Sequence, residues 1–217
     1  VASSWLNRQH LRCNHSNPKS PTLTMYCNLN KGSKMQIKDM FPTPIGMFNY
    51  GNLSDKELEA INSLEMVRNQ NNNTSLNQSV LDISALSGIK DFIEAALKTY
   101  LAETLSPSPN MTHYITQSWA NLSEAEDYHH FHTHTNSIAS GVFYVAVDRE
   151  KDSITFSRQA KDIPFVHPVL FPDIERPTDY NTEEWDIPID TGNLFMFPST
   201  LVHGVKQINN RTSDRIS

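Results

Sequence analysis

From residue 111 onward the apolar residues stop recurring at helical spacing and begin to alternate, and this change constrains the fold more than anything else in the chain. Segments 111–122, 128–135, 138–147, 153–157, 193–198, 201–208 and from Arg215 onward read as short strands between turn formers. Seven short strands after two helices predict a mainly β protein with N-terminal helices, an antiparallel double-sheet sandwich or jelly roll.

The helices lie upstream. Ser54-Asp55-Lys56-Glu57 is a capping box, with Glu57 placed to reach back to the helix start. Leu58, Ile61 and Leu64 follow at helical spacing and predict a helix ending near Arg68. Residues 69–79, rich in Asn, Gln and Ser, predict a loop. A second helix is expected over about 87–104, with Ile89, Phe92, Ile93, Ala96, Leu97 and Leu101 on one stripe.

Residues 1–40 show no period and are expected to be a disordered tail or a non-native extension. Residues 41–217 then form one domain, with helical support over 54–104, a jelly-roll core over 111–217 and an insertion over 158–190. Loops of that length are usually lids or disordered, and Phe165, Phe171, Tyr180 and Trp185 make this one a lid candidate. Arg158 and His167 are candidate substrate contacts within it. Trp119 and Asn121 are expected in core and turn.

Charge and cysteine content narrow the function classes. The net charge of −6 argues against general nucleic-acid binding, although residues 1–34 carry Arg8, Arg12, Lys19, Lys31 and Lys34 and no acid. No run approaches the roughly 20 apolar residues that span a bilayer. Cys13 and Cys27 alone cannot build a disulfide scaffold or a four-thiolate zinc site, so a cytoplasmic location is expected.

The chemistry is concentrated in histidine. Four of the nine histidines stand in Tyr128-His129-His130-Phe131-His132-Thr133-His134. On a regular strand His130, His132 and His134 would share one face, and His129 and Phe131 the other. A His-x-His pair is a common metal-ligand spacing, and imidazole suits iron, zinc, copper and nickel alike. His203 follows a Gly192 turn, an apolar strand and a Pro198-Ser199 turn, and is the natural third ligand from a neighbouring strand. Arg215, twelve residues later, is an arginine whose planar fork suits a carboxylate, and it shares strand parity with Ser217.

Together, Tyr128-x3-His132-x-His134-x2-Ser137-x2-Ser140-Gly141-x2-Tyr144, Gly192-x-Leu194-x2-Phe197-Pro198-Ser199-x3-His203 and Arg215-x-Ser217 resemble the iron(II)- and 2-oxoglutarate-dependent dioxygenases. Within them the chain is most similar to an oxygenase subfamily common in marine bacteria and their phages. The resemblance covers about residues 112–217 and implies a double-stranded β-helix, the cupin-like jelly roll. It implies a 2-oxoglutarate-dependent hydroxylase with Fe(II) as cofactor and 2-oxoglutarate as cosubstrate. Molecular oxygen and a small-molecule or protein substrate are the partners it implies, with no nucleic acid and no membrane.

By position, His132 and His203 resemble the iron ligands, Arg215 and Ser217 the grip on the distal carboxylate, and Tyr144 a further cosubstrate contact. The family's usual site adds an Asp or Glu two residues after the first histidine. Here that place holds His134, so three histidines ligate the metal or His134 stands behind a water. Two other readings stay open: a three-histidine, cupin-like dioxygenase without 2-oxoglutarate, and a non-catalytic metal-binding β-sandwich.

Overall fold

The computed structural model describes residues 35, 37–159, 162–164, 172–208 and 213–217. Compact units divide at Pro42. In the first, the described Met35, Ile37, Met40 and Phe41 are exposed; the second, Thr43–Ser217, holds every element that follows. The reading of residues 1–40 as a tail falls almost wholly outside the described residues.

In chain order the elements are β1 (Gly46–Asn49), α1 (Asp55–Asn62), β2 (Met66–Arg68), β3 (Asn73–Ser75) and α2 (Ser87–Thr104). Then come β4 (Asn121–Ser123), β5 (His129–His132), β6 (Ala139–Phe143), β7 (Ser153–Ser157), β8 (Glu184–Pro188), β9 (Asn193–Pro198), β10 (Val202–Val205) and β11 (Arg215–Ile216). The sheets are ordered β1-β9-β6, β11-β4-β3-β2 and β5-β10-β7-β8, antiparallel throughout.

A bridge between Ala146 and Ile216 stitches the first two sheets together, through Val145 N to Ile216 O and Ile216 N to Ala146 O, each 2.9 Å. Strands β4, β6, β9 and β11 therefore fall in one layer and β5, β7, β8 and β10 in the other. That alternation is the jelly roll expected from the sequence.

Strand β9 explains why its sequence is almost continuously apolar. Leu194 and Met196 pack with Ala96, Tyr100 and Leu101 of α2, while Phe195 and Phe197 pack with Tyr144, Ile154, Phe156 and Ile189 between the layers. A strand covered on both faces has no polar face to show. Burying one such Phe contributes on the order of 2–3 kcal/mol. Gly192 opens this strand at φ +81°, where a Cβ would run into the Gly51 carbonyl, so the turn admits little else.

Helix α1 carries the expected capping box: Ser54 Oγ accepts from Glu57 N at 3.4 Å, and a Glu57 carboxylate oxygen accepts from Ser54 N at 2.7 Å. It ends at Asn62, however, and not near Arg68. Met66–Arg68 instead pairs with Asn73–Ser75, so part of the expected 69–79 loop is a strand. Three-residue strands are too short to show a period, and the turn between them is built by Asn69, whose N donates to Asn72 O at 2.7 Å.

Two further differences follow the same logic. Of the expected strand 111–122, only Asn121–Ser123 is paired as a strand; residues before it meet the fold through a bridge from Ser118 to Ser79. The 158–190 insertion ends in β8, which the acidic Glu184 and Asp186 disguised. Both acids take the Lys206 ammonium, at 2.9 and 3.0 Å, on an exposed edge strand. Arg158 does not reach outward from this segment: it donates to the carbonyls of Thr182 and Asp179, at 2.9 and 3.2 Å, and clasps the loop. Phe165, His167 and Phe171 lie outside the described residues.

Candidate metal centre

Strands β5 and β10 lie side by side in the smaller layer, and His132 is the direct partner of His203. The register then slips. Val205, two residues past His203, faces His129, three residues before His132, so β5 carries a one-residue bulge. Residues His203 and Val205 point to one side of β10, so their partners His132 and His129 do too. The expected alternation, with His130, His132 and His134 on one face and His129 on the other, is thus overturned. His130 and Phe131 are exposed at the bulge, while the His129 and His132 rings stack with centroids 4.7 Å apart.

Close approach of the strands at the bulge depends on Gly204. A Cβ there would lie 2.9 Å from His129 O and 3.2 Å from Phe131 Cα. Gly204→Val is therefore expected to push β5 off β10 and lower stability by about 1–3 kcal/mol, the usual cost of overpacking. Thermal unfolding together with a metal titration checks both consequences.

Beyond β5 the chain turns, and His134 reaches the same point from outside the strand. Its N donates to Ser199 O at 2.9 Å, and buried Ser199 Oγ meets the hydroxyls of Ser137 at 2.7 Å and Ser140 at 2.8 Å. These serines bind the segment after β5 to the turn after β9, which fixes His134 opposite His203. One nitrogen from each of His132, His134 and His203 can be chosen so that all three lie within 4.8 Å of one another. Such a group can hold a metal ion.

The ring orientations are set by backbone carbonyls. His132 Nδ1 lies 2.8 Å from His130 O, and His203 Nδ1 lies 2.9 Å from Leu201 O. A carbonyl only accepts, so each Nδ1 carries the proton and each Nε2 keeps its lone pair for a metal. His203 is buried against Phe197, centroids 4.5 Å apart, and Trp119 stands 5.8 Å from the His134 ring.

Burial keeps this cluster neutral. It pushes His203 down to about 4 and His129 to about 3, and it lowers His132 and His134 as well. For the metal-free protein the sign is fixed: the unfolded chain takes up protons at the ordinary value near 6.5, the folded His203 only near 4. The melting temperature of the metal-free chain is expected to fall as pH drops from about 6.5 to about 4. His203→Phe should flatten that slope.

Arg215 comes from β11, in the other layer. It is buried, donates to Ser123 Oγ at 2.9 Å and lies 3.7 Å from Asp152 Oδ1, which is fully buried. Tyr144, also buried, stands within the fields of Arg215 and Asp152, and burial raises its hydroxyl well above the ordinary range. Among the described residues its hydroxyl has no hydrogen-bond partner. Ser217 pairs through its backbone with Asn121, at 2.7 and 3.0 Å. His129 and Asp152 were not foreseen. A bulge leaves no mark in a run of histidines, and its only sequence sign is a glycine on the facing strand.

A family model described as "Putative 2OG-Fe(II) oxygenase" matches residues 117–217. No curated protein matches the chain. Solved structures similar to it at low identity include the following three. An oxidoreductase of the 2OG-Fe(II) oxygenase family from Burkholderia pseudomallei is 9% identical, covering 73% of this chain and 71% of its own, with a TM-score of 0.48. HygX from Streptomyces hygroscopicus, solved with nickel, 2-oxoglutarate and hygromycin B, is 14% identical over 80% of each chain, at 0.47. A Pseudomonas putida prolyl-4-hydroxylase is 12% identical over 79% of this chain and 88% of its own, at 0.45. Among the described residues no helix is long and apolar enough to cross a membrane.

Proposed function

We propose that the chain, whose residues 117–217 match the model of the 2OG-Fe(II) oxygenases, is a member of that family and couples oxidative decarboxylation of 2-oxoglutarate to hydroxylation of a substrate. The observation that carries this reading is the convergence of His132, His134 and His203 from two strands and a turn onto one point.

The residues present fit both groups. Three neutral imidazoles would hold Fe(II), with His134 in the place of the family's usual carboxylate. Tyr144 offers a buried hydroxyl without a partner, beside the buried Arg215, and a carboxylate would satisfy it. When bound, iron(II) supplies activation of dioxygen, one oxygen atom going into succinate and the other to the substrate.

The chain's own part is binding and orientation. Backbone carbonyls hold the His132 and His203 rings with Nε2 forward. Arg215 and Tyr144, both buried, would take the far carboxylate of the cosubstrate. With no carboxylate ligand the centre keeps its full 2+ charge, which strengthens its attraction for an anionic cosubstrate. Ser217, two residues after Arg215, would add a hydroxyl to the same end.

The test is to mix the chain anaerobically with iron(II) and 2-oxoglutarate, record the visible charge-transfer band of the chelate, then admit oxygen and measure succinate. A band followed by succinate is the expected result. A folded chain with stoichiometric iron and no band overturns the reading in favour of a centre that works without 2-oxoglutarate.

A further inference from the structure

His129 faces inward beside the metal triad and takes no part in it. Its place is a product of the bulge, which pairs it with Val205 and turns it to the side of His132 and His203. The ring stacks on His132 at 4.7 Å with an interplanar angle of 27°, and it lies within the field of Arg215. It therefore sits at the metal end of the space that a ligand reaching from the metal to Arg215 would cross, where the charge of Arg215 is still felt.

The ring's hydrogen bonding is also set from outside. Asn72 Nδ2 lies 3.2 Å from His129 Nδ1, and Asn72 is itself buried, its carbonyl accepting from Asn69 N at 2.7 Å. An amide nitrogen can only donate, so Nδ1 accepts and the ring proton is on Nε2. Among the described residues nothing accepts from that Nε2–H. A donor within the field of an arginine, with its other nitrogen already satisfied, is suited to meet an anion.

We propose that His129 donates from Nε2 to a carboxylate oxygen of bound 2-oxoglutarate, with Asn72 holding the tautomer that makes it a donor. This rests on the functional reading above and deepens it. His129 is then a cosubstrate contact, distinct from the three metal-holding histidines, and Asn72 is its positioning residue.

The experiment titrates 2-oxoglutarate into the full chain loaded with iron(II) under anaerobic conditions, by calorimetry, and measures iron affinity separately. His129→Phe should weaken 2-oxoglutarate binding about tenfold or more, the usual loss for a hydrogen bond to a charged group, with iron affinity unchanged. His129→Gln, whose amide N–H can stand where Nε2–H stood, should recover most of the loss. Asn72→Asp should mimic His129→Phe, because a carboxylate there demands the proton on Nδ1 and leaves a lone pair facing the cosubstrate. It also keeps the question open to test if His129→Phe does not fold.

Unchanged 2-oxoglutarate affinity in both His129→Phe and Asn72→Asp overturns this assignment alone. So does a parallel loss of iron and 2-oxoglutarate in His129→Phe, since the ring would then belong to the metal centre. A wild-type chain that binds iron and no 2-oxoglutarate overturns the functional reading, and this assignment with it.

Discussion

His203→Ala is expected to abolish metal binding, lowering affinity by more than the roughly 10–100-fold that loss of an outer hydrogen-bond partner costs. The reason is positional as well as chemical. His203 is the buried member of the three, its Nδ1–H is tied to Leu201 O at 2.9 Å, and its ring is wedged against Phe197. It arrives ready to ligate, with little rotamer freedom left to lose. His132 and His134 both flank it, at centroid distances of 4.3 and 5.2 Å, so removing it leaves two imidazoles with no third donor opposite. Competition against a chromophoric chelator measures the loss. Retention of stoichiometric, tight iron in His203→Ala would remove this residue from the centre.

Arg215→Ala should have two separable effects. Cosubstrate affinity is expected to fall about a hundredfold, because a bidentate, charge-assisted contact in a buried site is lost. The fold should also weaken, by about 3–5 kcal/mol, since the change withdraws a buried cation from the side of the fully buried Asp152. Arg215→Lys separates the two: it keeps the charge near Asp152 but not the fork, so stability should recover more than 2-oxoglutarate binding does. Chemical unfolding gives the first quantity and calorimetry the second. An Arg215→Ala chain that binds 2-oxoglutarate as the wild type does would relieve this residue of its proposed task.

How much of this was legible from sequence depends on the length of each signal. The strand pattern of β6, β7 and β9 is long and apolar enough to be read directly, and the stripe over 87–104 marks α2. The β2–β3 hairpin and β8 were not legible: each is short, polar and held by pairing with neighbours distant in sequence. At the site, His132, His134 and His203 could be picked out because histidine is uncommon and their spacing suits a metal. The conversion of His129 from an outward to an inward residue could not, since it turns on a register shift against β10. Arg215 could be singled out by its charge on a strand; Asp152 beside it could not, because an acid at a strand entrance is indistinguishable from a turn residue.

The bulge in β5 also changes how this segment tolerates insertion and deletion. His132 follows His129 by three positions where a spacing of two suffices to place both rings on one face, so one residue of the pair His130 and Phe131 is surplus to the ladder. A version of the strand shorter by one residue would pair regularly with β10 and still present both imidazoles inward. Length variation here is therefore compatible with an unaltered inner surface. Homologous strands of different length should be matched by which residues face β10, not by counting back from His132.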